Sequence, residues 1–229
     1  MAMAVEFRII NIGTLSSNPF WKEAPGVRTA HATTTLVRDG DRRILVDPSL
    51  PPATLSARLF ERSGLRPADI TDVFCTTLRA THRWAVSAFD SARWWCHEPE
   101  LQVARSHLEA LDASARRVEG DFAENVQADL KLLERFQPVP ERLTPHVHLY
   151  PLPGPSAGSA GLLLAAPTQT IMVAGDAAVT SEHVEAGRVW GGCADVEAAM
   201  ESLQEIVEIA DIIICGHDNV MLSPTRWMR

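Results

Sequence analysis

The chain has 229 residues, 46% hydrophobic and 22% charged, a balance that supports a buried core and excludes a globally disordered chain. With 21 Lys and Arg against 29 Asp and Glu the formal charge is -8, so an acidic surface argues against nucleic-acid and membrane partners. No apolar run reaches the ~20 residues of a membrane span. Residues 1–10 carry Glu6 and Arg8 inside their apolar stretch and lack the basic-then-apolar order of a signal peptide. Cys75, Cys96, Cys193 and Cys215 form no Cys-x-x-Cys pair. Reduced, buried thiols and a cytoplasmic location are expected.

In chain order, residues 5–10 and 33–37 have the β-branched content of strands, separated by a loop with Pro19, Pro25 and Gly26. Asp39-Gly40-Asp41 signals a turn, after which residues 43–46 form a short apolar strand ending in Asp47. Residues 54–64 read as a helix stopped by Gly64, and residues 73–76 as a buried strand. Residues 94–96 are strand-like. Residues 106–115 and 121–136 carry apolar residues at helical spacing, interrupted at Gly120. Strands follow at 147–152, 161–165 and 171–174, then an amphipathic helix at 196–209 and a last buried strand at 212–215. This mixture, without strict βαβ alternation or repeats, predicts one α/β (α+β) domain over residues 1–229.

Several strands end in polar residues that can meet at one rim: Asp47, the segment from Thr77 to His82, Asp176 after Gly175, and His217 after Gly216. A glycine at a strand end lets the backbone turn sharply and present the next side chain to a cleft. Two imidazoles and a carboxylate delivered this way can form a metal site. The count of eight histidines does not by itself argue for one, because a histidine is more often a satisfied polar or surface residue.

The order of these segments resembles the metallo-β-lactamase-fold hydrolases, including the glyoxalase-II-like enzymes, over residues 33–219. Ile44 to Asp47 resembles the family's strand ending in a structural aspartate. Ile70 to His82 (ITDVFCTTLRATH) resembles the strand and loop of its His-x-His-x-Asp-His motif. Leu152 to Ser159 (LPGPSAGS) resembles its Pro-Gly-His loop, Val173 to Asp176 its bridging aspartate, and Cys215 to His217 its last histidine. The resemblance implies an αββα four-layer sandwich with mixed sheets.

The departures fall on the metal ligands. Thr77 and Arg79 stand where two motif histidines belong, Thr81 where the motif aspartate belongs, and Pro155 where the third histidine belongs. The first metal of the family would keep Asp176 alone. The second would keep His82, Asp176 and His217, a set able to hold a single Zn, Mn or Fe ion. Arg79 works against that ion, because its guanidinium stays protonated and repels a divalent cation. An Arg79–Asp176 pair without metal is one arrangement; Arg79 pointing to solvent is the other.

The resemblance therefore implies a hydrolase-lineage protein with the first metal site lost and no metal or one divalent metal, Zn foremost. Weak or absent hydrolase activity is expected, as in a pseudoenzyme that binds a small molecule or a protein partner. The alternative is a mononuclear hydrolase of an ester, thioester or lactone using a metal-bound hydroxide, with Asp176 and His217 as its catalytic candidates. Thr81 is no base near neutral pH, and Ser156 and Ser159 lie in no nucleophile elbow. His183, with Arg188 and Trp190, is a candidate cleft contact; the competing reading is a solvated loop. His31 reads as a surface or capping residue, His97 and Glu98 as a strand end, and His146 and His148 as alternating on one strand face. Asp218 and Asn219 are placed to support His217. Trp84, Trp94 and Trp95 flank the altered motif, as a filled core that can include the old metal pocket or as a homodimer surface.

Overall fold

The computed structural model describes residues 4–115 and 121–225. The first half builds a six-stranded sheet from β1 (Glu6–Asn11), β2 (Thr34–Asp39), β3 (Arg42–Val46), β4 (Asp72–Cys75), β5 (Arg93–Cys96) and β6 (Phe136–Pro138), in that spatial order. Its first three strands run antiparallel, with the predicted Gly40 turn joining β2 to β3, and β3 to β6 pair in parallel. Helices α1 (Pro52–Ser63), α2 (Ala80–Arg83), α3 (Glu98–Ala115) and α4 (Asp121–Leu133) are interleaved with these strands. The second sheet holds β7 (Arg142–Thr144), β8 (Val147–Pro151), β9 (Ala160–Ala166), β10 (Gln169–Gly175), β11 (Ile212–Cys215) and β12 (Val220–Leu222), in the order β12-β11-β10-β9-β8-β7. Only β10 and β11 pair in parallel there, bridged in sequence by α5 (Ser181–Glu185) and α6 (Val196–Ile209).

Alternation along the strands sorts the apolar residues into three layers of contact. Val37, Ile44 and Val46 of the first sheet face Val147, Leu162, Val173 and Ile214 of the second, forming the core between the sheets. The next residues along, Leu36 and Leu45, point the other way and pack with Leu55 and Leu59 of α1 and Leu101 of α3. On the far side, Met172, Ala174 and Ile213 pack against Leu203 and Ile206 of α6. Helix, sheet, sheet, helix is the expected αββα sandwich.

The long predicted strands and the helices α1 and α6 stand close to where the periodicity puts them. Gly64 ends α1 in a left-handed conformation, its N–H bonded to the Phe60 carbonyl at 2.8 Å. Three expectations need correction. Helix α3 begins at Glu98, eight residues ahead of 106, because Pro99 and the acidic Glu98 and Glu100 open a helix well. Phe136 belongs to β6, where the core claims its ring, and not to the end of a helix. The 180–187 segment, read as a loop, forms the short helix α5, capped by Thr180. The interruption at Gly120 lies outside the described residues.

The tryptophans go three separate ways. Trp94 is core, its Nε1 donating to the Phe89 carbonyl at 2.9 Å. Trp95 donates to buried Asp72 at 2.8 Å. Trp84 is 49% exposed, so it is not the buried filling that the sequence suggested. Cys75, Cys96 and Cys215 are buried free thiols as expected, whereas Cys193 is only half-buried. Among the described residues no helix is long and apolar enough to cross a membrane.

Candidate functional site

The parallel pairs β3–β4 and β10–β11 bring four strand ends to one edge of the sandwich, and the residues just beyond them form a buried polar cluster. Asp47, after β3, adopts φ 51°, a left-handed conformation that aspartate tolerates better than most residues. There its Oδ1 accepts from the Thr76 N–H and its Oδ2 from the Thr76 hydroxyl, both at 2.8 Å. Asp47 Oδ2 also lies 3.1 Å from His82 Nδ1. Asp176 follows Gly175, whose φ of 55° and close approach to Thr76 (an added Cβ would stand 2.4 Å from its Oγ1) require glycine.

His82, Asp176 and His217 converge as the strand-end pattern predicts. Asp176 Oδ1 lies 3.1 Å from both His82 Nε2 and His217 Nε2. His217 Nδ1 points at the main-chain carbonyls of Thr14 (3.1 Å) and His31 (3.0 Å), so it carries a proton and Nε2 faces the carboxylate. His31 thus reaches the site through its carbonyl, while its ring turns back to the Thr29 carbonyl. His82 is sealed from solvent between two carboxylates. Burial alone works to lower its pKa, but Asp176 and Asp47 together outweigh it and push it up to about 10. Burial likewise opposes the charge on Asp176, yet His82 and His217 hold its carboxyl well below the usual range.

Arg79 lies against the cluster and pairs with Asp176. Its Nη1 donates to Asp176 Oδ2 at 2.7 Å and its Nη2 to the Pro155 carbonyl at 2.6 Å and the Gly192 carbonyl at 3.3 Å. The guanidinium stacks 4.5 Å from the Trp190 ring centroid. Of the two arrangements open to Arg79, the structure holds the pair with Asp176. Pro155, with no side-chain donor, serves through its carbonyl.

Thr77 turns to a residue the sequence did not single out for this role. Buried Glu100, in the first turn of α3, accepts from the Thr77 hydroxyl at 2.8 Å and the Leu78 N–H at 2.9 Å. Its other oxygen accepts from the Ser156 hydroxyl. Gly158 lets the 152–159 loop lie against α3, since an added Cβ would stand 2.0 Å from the Glu100 nitrogen. The signal was present as an acid beside Pro99 at a helix start, but nothing local ties such an acid to a motif twenty residues earlier.

The remaining candidates scatter. Thr81 contributes its carbonyl to the Ala32 N–H at 3.1 Å. Asp218 does not hold His217; its carboxylate accepts from the Ser181 N–H and hydroxyl at 3.0 and 2.6 Å and anchors α5. Asn219 accepts from the Val220 N–H instead. His97 Nδ1 lies 2.9 Å from the Gly158 carbonyl and Glu98 opens α3. His146 sits just before β8 against Asp39, and His148 lies in β8. His183, Arg188 and Trp190 share the wall of an open cleft of about 440 Å³ beside Arg79.

Three donors fit one ion and not two. Among the described residues, His82, Asp176 and His217 are the single group of metal-ligating atoms within 4.8 Å of one another. Asp176 Oδ2, which a bridging carboxylate would give to a first metal, is bonded to a guanidinium, and Thr77 and Pro155 add no ligand in a His or carboxylate set.

The sequence from residue 28 to 217 matches the model of the metallo-beta-lactamase superfamily. No curated protein matches the sequence. Among solved structures, a Thermotoga maritima protein provisionally described as a metallo-beta-lactamase superposes with a TM-score of 0.70 at 16% identity, covering 96% of this chain and 100% of its own. AidC, a dizinc quorum-quenching lactonase in complex with its product, gives 0.65 at 15% identity, covering 81% and 72%. A variant of B. thuringiensis AiiA with N-decanoyl-L-homoserine at its active site gives 0.65 at 19% identity, covering 95% and 94%. These likenesses speak to the fold. With strand order, layer order and a family match over most of its length in agreement, the chain belongs to the metallo-beta-lactamase superfamily.

Proposed function

We propose that this protein keeps the superfamily's scaffold and cleft but not its two-metal hydrolysis, and that it binds a small molecule beside an ion-paired, metal-independent cluster. The observation that carries this reading is the Arg79 guanidinium bonded at once to Asp176 and to the Pro155 carbonyl. It ties together the segments that the first metal would tie. Every polar side-chain atom of the cluster is partnered: Asp176 receives three N–H groups or ring nitrogens, and both nitrogens of His82 and of His217 face oxygen. A cluster so satisfied holds its shape without an ion.

A second reading, a mononuclear hydrolase of an ester, thioester or lactone, is favoured by one feature. Asp47 and two carbonyls hold the Nδ1 atoms of His82 and His217, which is how metal-ligating histidines are oriented. His82, Asp176 and His217 would hold the ion, which would supply Lewis-acid polarisation of a carbonyl. His82 would first have to release the proton that its two carboxylates stabilise, and Arg79 would have to tolerate the added charge.

Metal analysis of protein purified without a histidine tag and dialysed against Zn²⁺ separates the two. Metal below about a tenth of an equivalent supports the ion-paired cluster. Near-stoichiometric Zn, Mn or Fe that is lost in His217→Ala overturns it.

A further inference from the structure

The cleft beside the cluster has walls that specify a kind of ligand. Phe20 and Trp190 offer aromatic surface, with Leu15 and Val189 adding aliphatic surface. His183 packs edge-on to Phe20, with ring centroids 4.9 Å apart, and its Nδ1 meets the Thr180 hydroxyl at 2.8 Å. Arg188 lies 6.0 Å from the Phe20 centroid. Among the described residues, no carboxylate pairs with Arg188 and no Asp or Glu lines the cleft. Arg188 is exposed, so its guanidinium is open to a ligand that enters beside Phe20. The face of Trp190 that Arg79 covers is already committed, which leaves the cleft side of the pocket to the ligand.

From these walls we infer that the cleft binds an organic carboxylate with a flat apolar body, its carboxylate on Arg188 and its body between Phe20 and Trp190. A guanidinium fork takes a carboxylate through two parallel hydrogen bonds, and aromatic walls take a flat apolar group with little ordering cost. A volume of about 440 Å³ is in the range of small-molecule sites. The inference rests on the ligand-binding reading of the site but uses none of the metal-ligating residues, so the two can fail separately.

The test is calorimetric titration of EDTA-treated protein with 2-naphthoate and with its uncharged counterpart 2-naphthamide. Naphthoate is expected to bind at least tenfold more tightly. Arg188→Gln, an exposed position whose change leaves the fold intact, is expected to erase that preference. Arg58→Gln, on the surface of α1, leaves it unchanged, and Phe20→Ala weakens both probes while keeping their ratio. Equal binding of the two probes, no binding of either up to millimolar concentration, or a preference that survives Arg188→Gln overturns the inference. Repeating the titration after Zn²⁺ loading keeps the readings apart: stoichiometric metal with the anion preference intact sinks the metal-independent cluster and leaves the carboxylate site standing.

Discussion

Replacing Arg79 by methionine removes the guanidinium and keeps much of the side chain's apolar length. Two effects of opposite sign follow. Asp176, 5% exposed, loses a charge-assisted hydrogen bond at 2.7 Å, and a buried carboxylate that loses such a partner costs about 2–3 kcal/mol of stability. Arg79 itself is 30% exposed, so its solvent screening keeps the cost at the lower end. The same change removes a repulsion. A guanidinium about 5 Å from a divalent ion opposes it by about 7 kcal/mol at an effective dielectric near 20, and the solvent exposure of Arg79 reduces that to about 2–3 kcal/mol. Zn²⁺ affinity at His82, Asp176 and His217 should therefore rise by one to two powers of ten. Urea denaturation in EDTA measures the first effect and chelator-competition titration the second. Arg79→Lys keeps the charge and loses the fork, so it should lose stability without gaining zinc. A methionine variant as stable as the parent, or one that binds zinc no better, refutes the account of Arg79 as the occupant of the metal's place.

Three further outcomes are expected. His82, with a pKa of about 10 against an ordinary 6.5, contributes stability that is fully present below pH 6.5 and is lost as pH rises through 10. Between those limits the metal-free protein should lose about 1.4 kcal/mol per pH unit, read as urea midpoints, with the slope absent in His82→Gln; a flat parent profile contradicts the buried imidazolium. Glu100→Gln should cost about 2 kcal/mol and speed hydrogen exchange at the Leu78 amide, an effect missing if the carboxylate merely fills space. Gly175→Ala, forced against Thr76 at φ 55°, should cost about 2 kcal/mol or more and displace Asp176, which removal of the alkaline slope would report.

What the sequence disclosed follows from how locally each signal is written. Strands that alternate or run apolar for four residues or more, such as β3, β10 and β11, declare themselves, and the polar residue after each is positioned by the strand end. That made Asp176 and His217 legible, while His82, beyond β4 in α2, and Arg79 as a partner for Asp176 were legible from motif position and charge. The three-residue strands β6, β7 and β12 carry too little pattern to be seen and exist because neighbouring strands pair with them. Contacts made by main chain, such as the Pro155, Thr14 and His31 carbonyls, leave no trace in residue type. Trp84 misled because an indole close in sequence to the altered motif looks like pocket filling, whereas its side chain is exposed and the group beside Asp176 is the Arg79 guanidinium.

A metal ion in such a site does two things, tying loops from different strands together and polarising what binds to it. In this structure side chains make such ties. Arg79 joins the 77–82 segment to Asp176 and to the 152–159 loop, and Glu100 joins the same segment and the same loop from the other side through Thr77, Leu78 and Ser156. One cation and one anion thus span the gap that ligand–metal bonds would close. On the metal-independent reading Arg79 serves as a tie, with hydrogen bonds to the Asp176 carboxylate and to the Pro155 and Gly192 carbonyls; polarisation of a substrate belongs to the second reading, in which an ion would supply it. On the metal-independent reading proposed above, side chains hold the geometry that an ion would hold, so binding in the neighbouring cleft, where Arg188 lies over Phe20, is the activity to measure first.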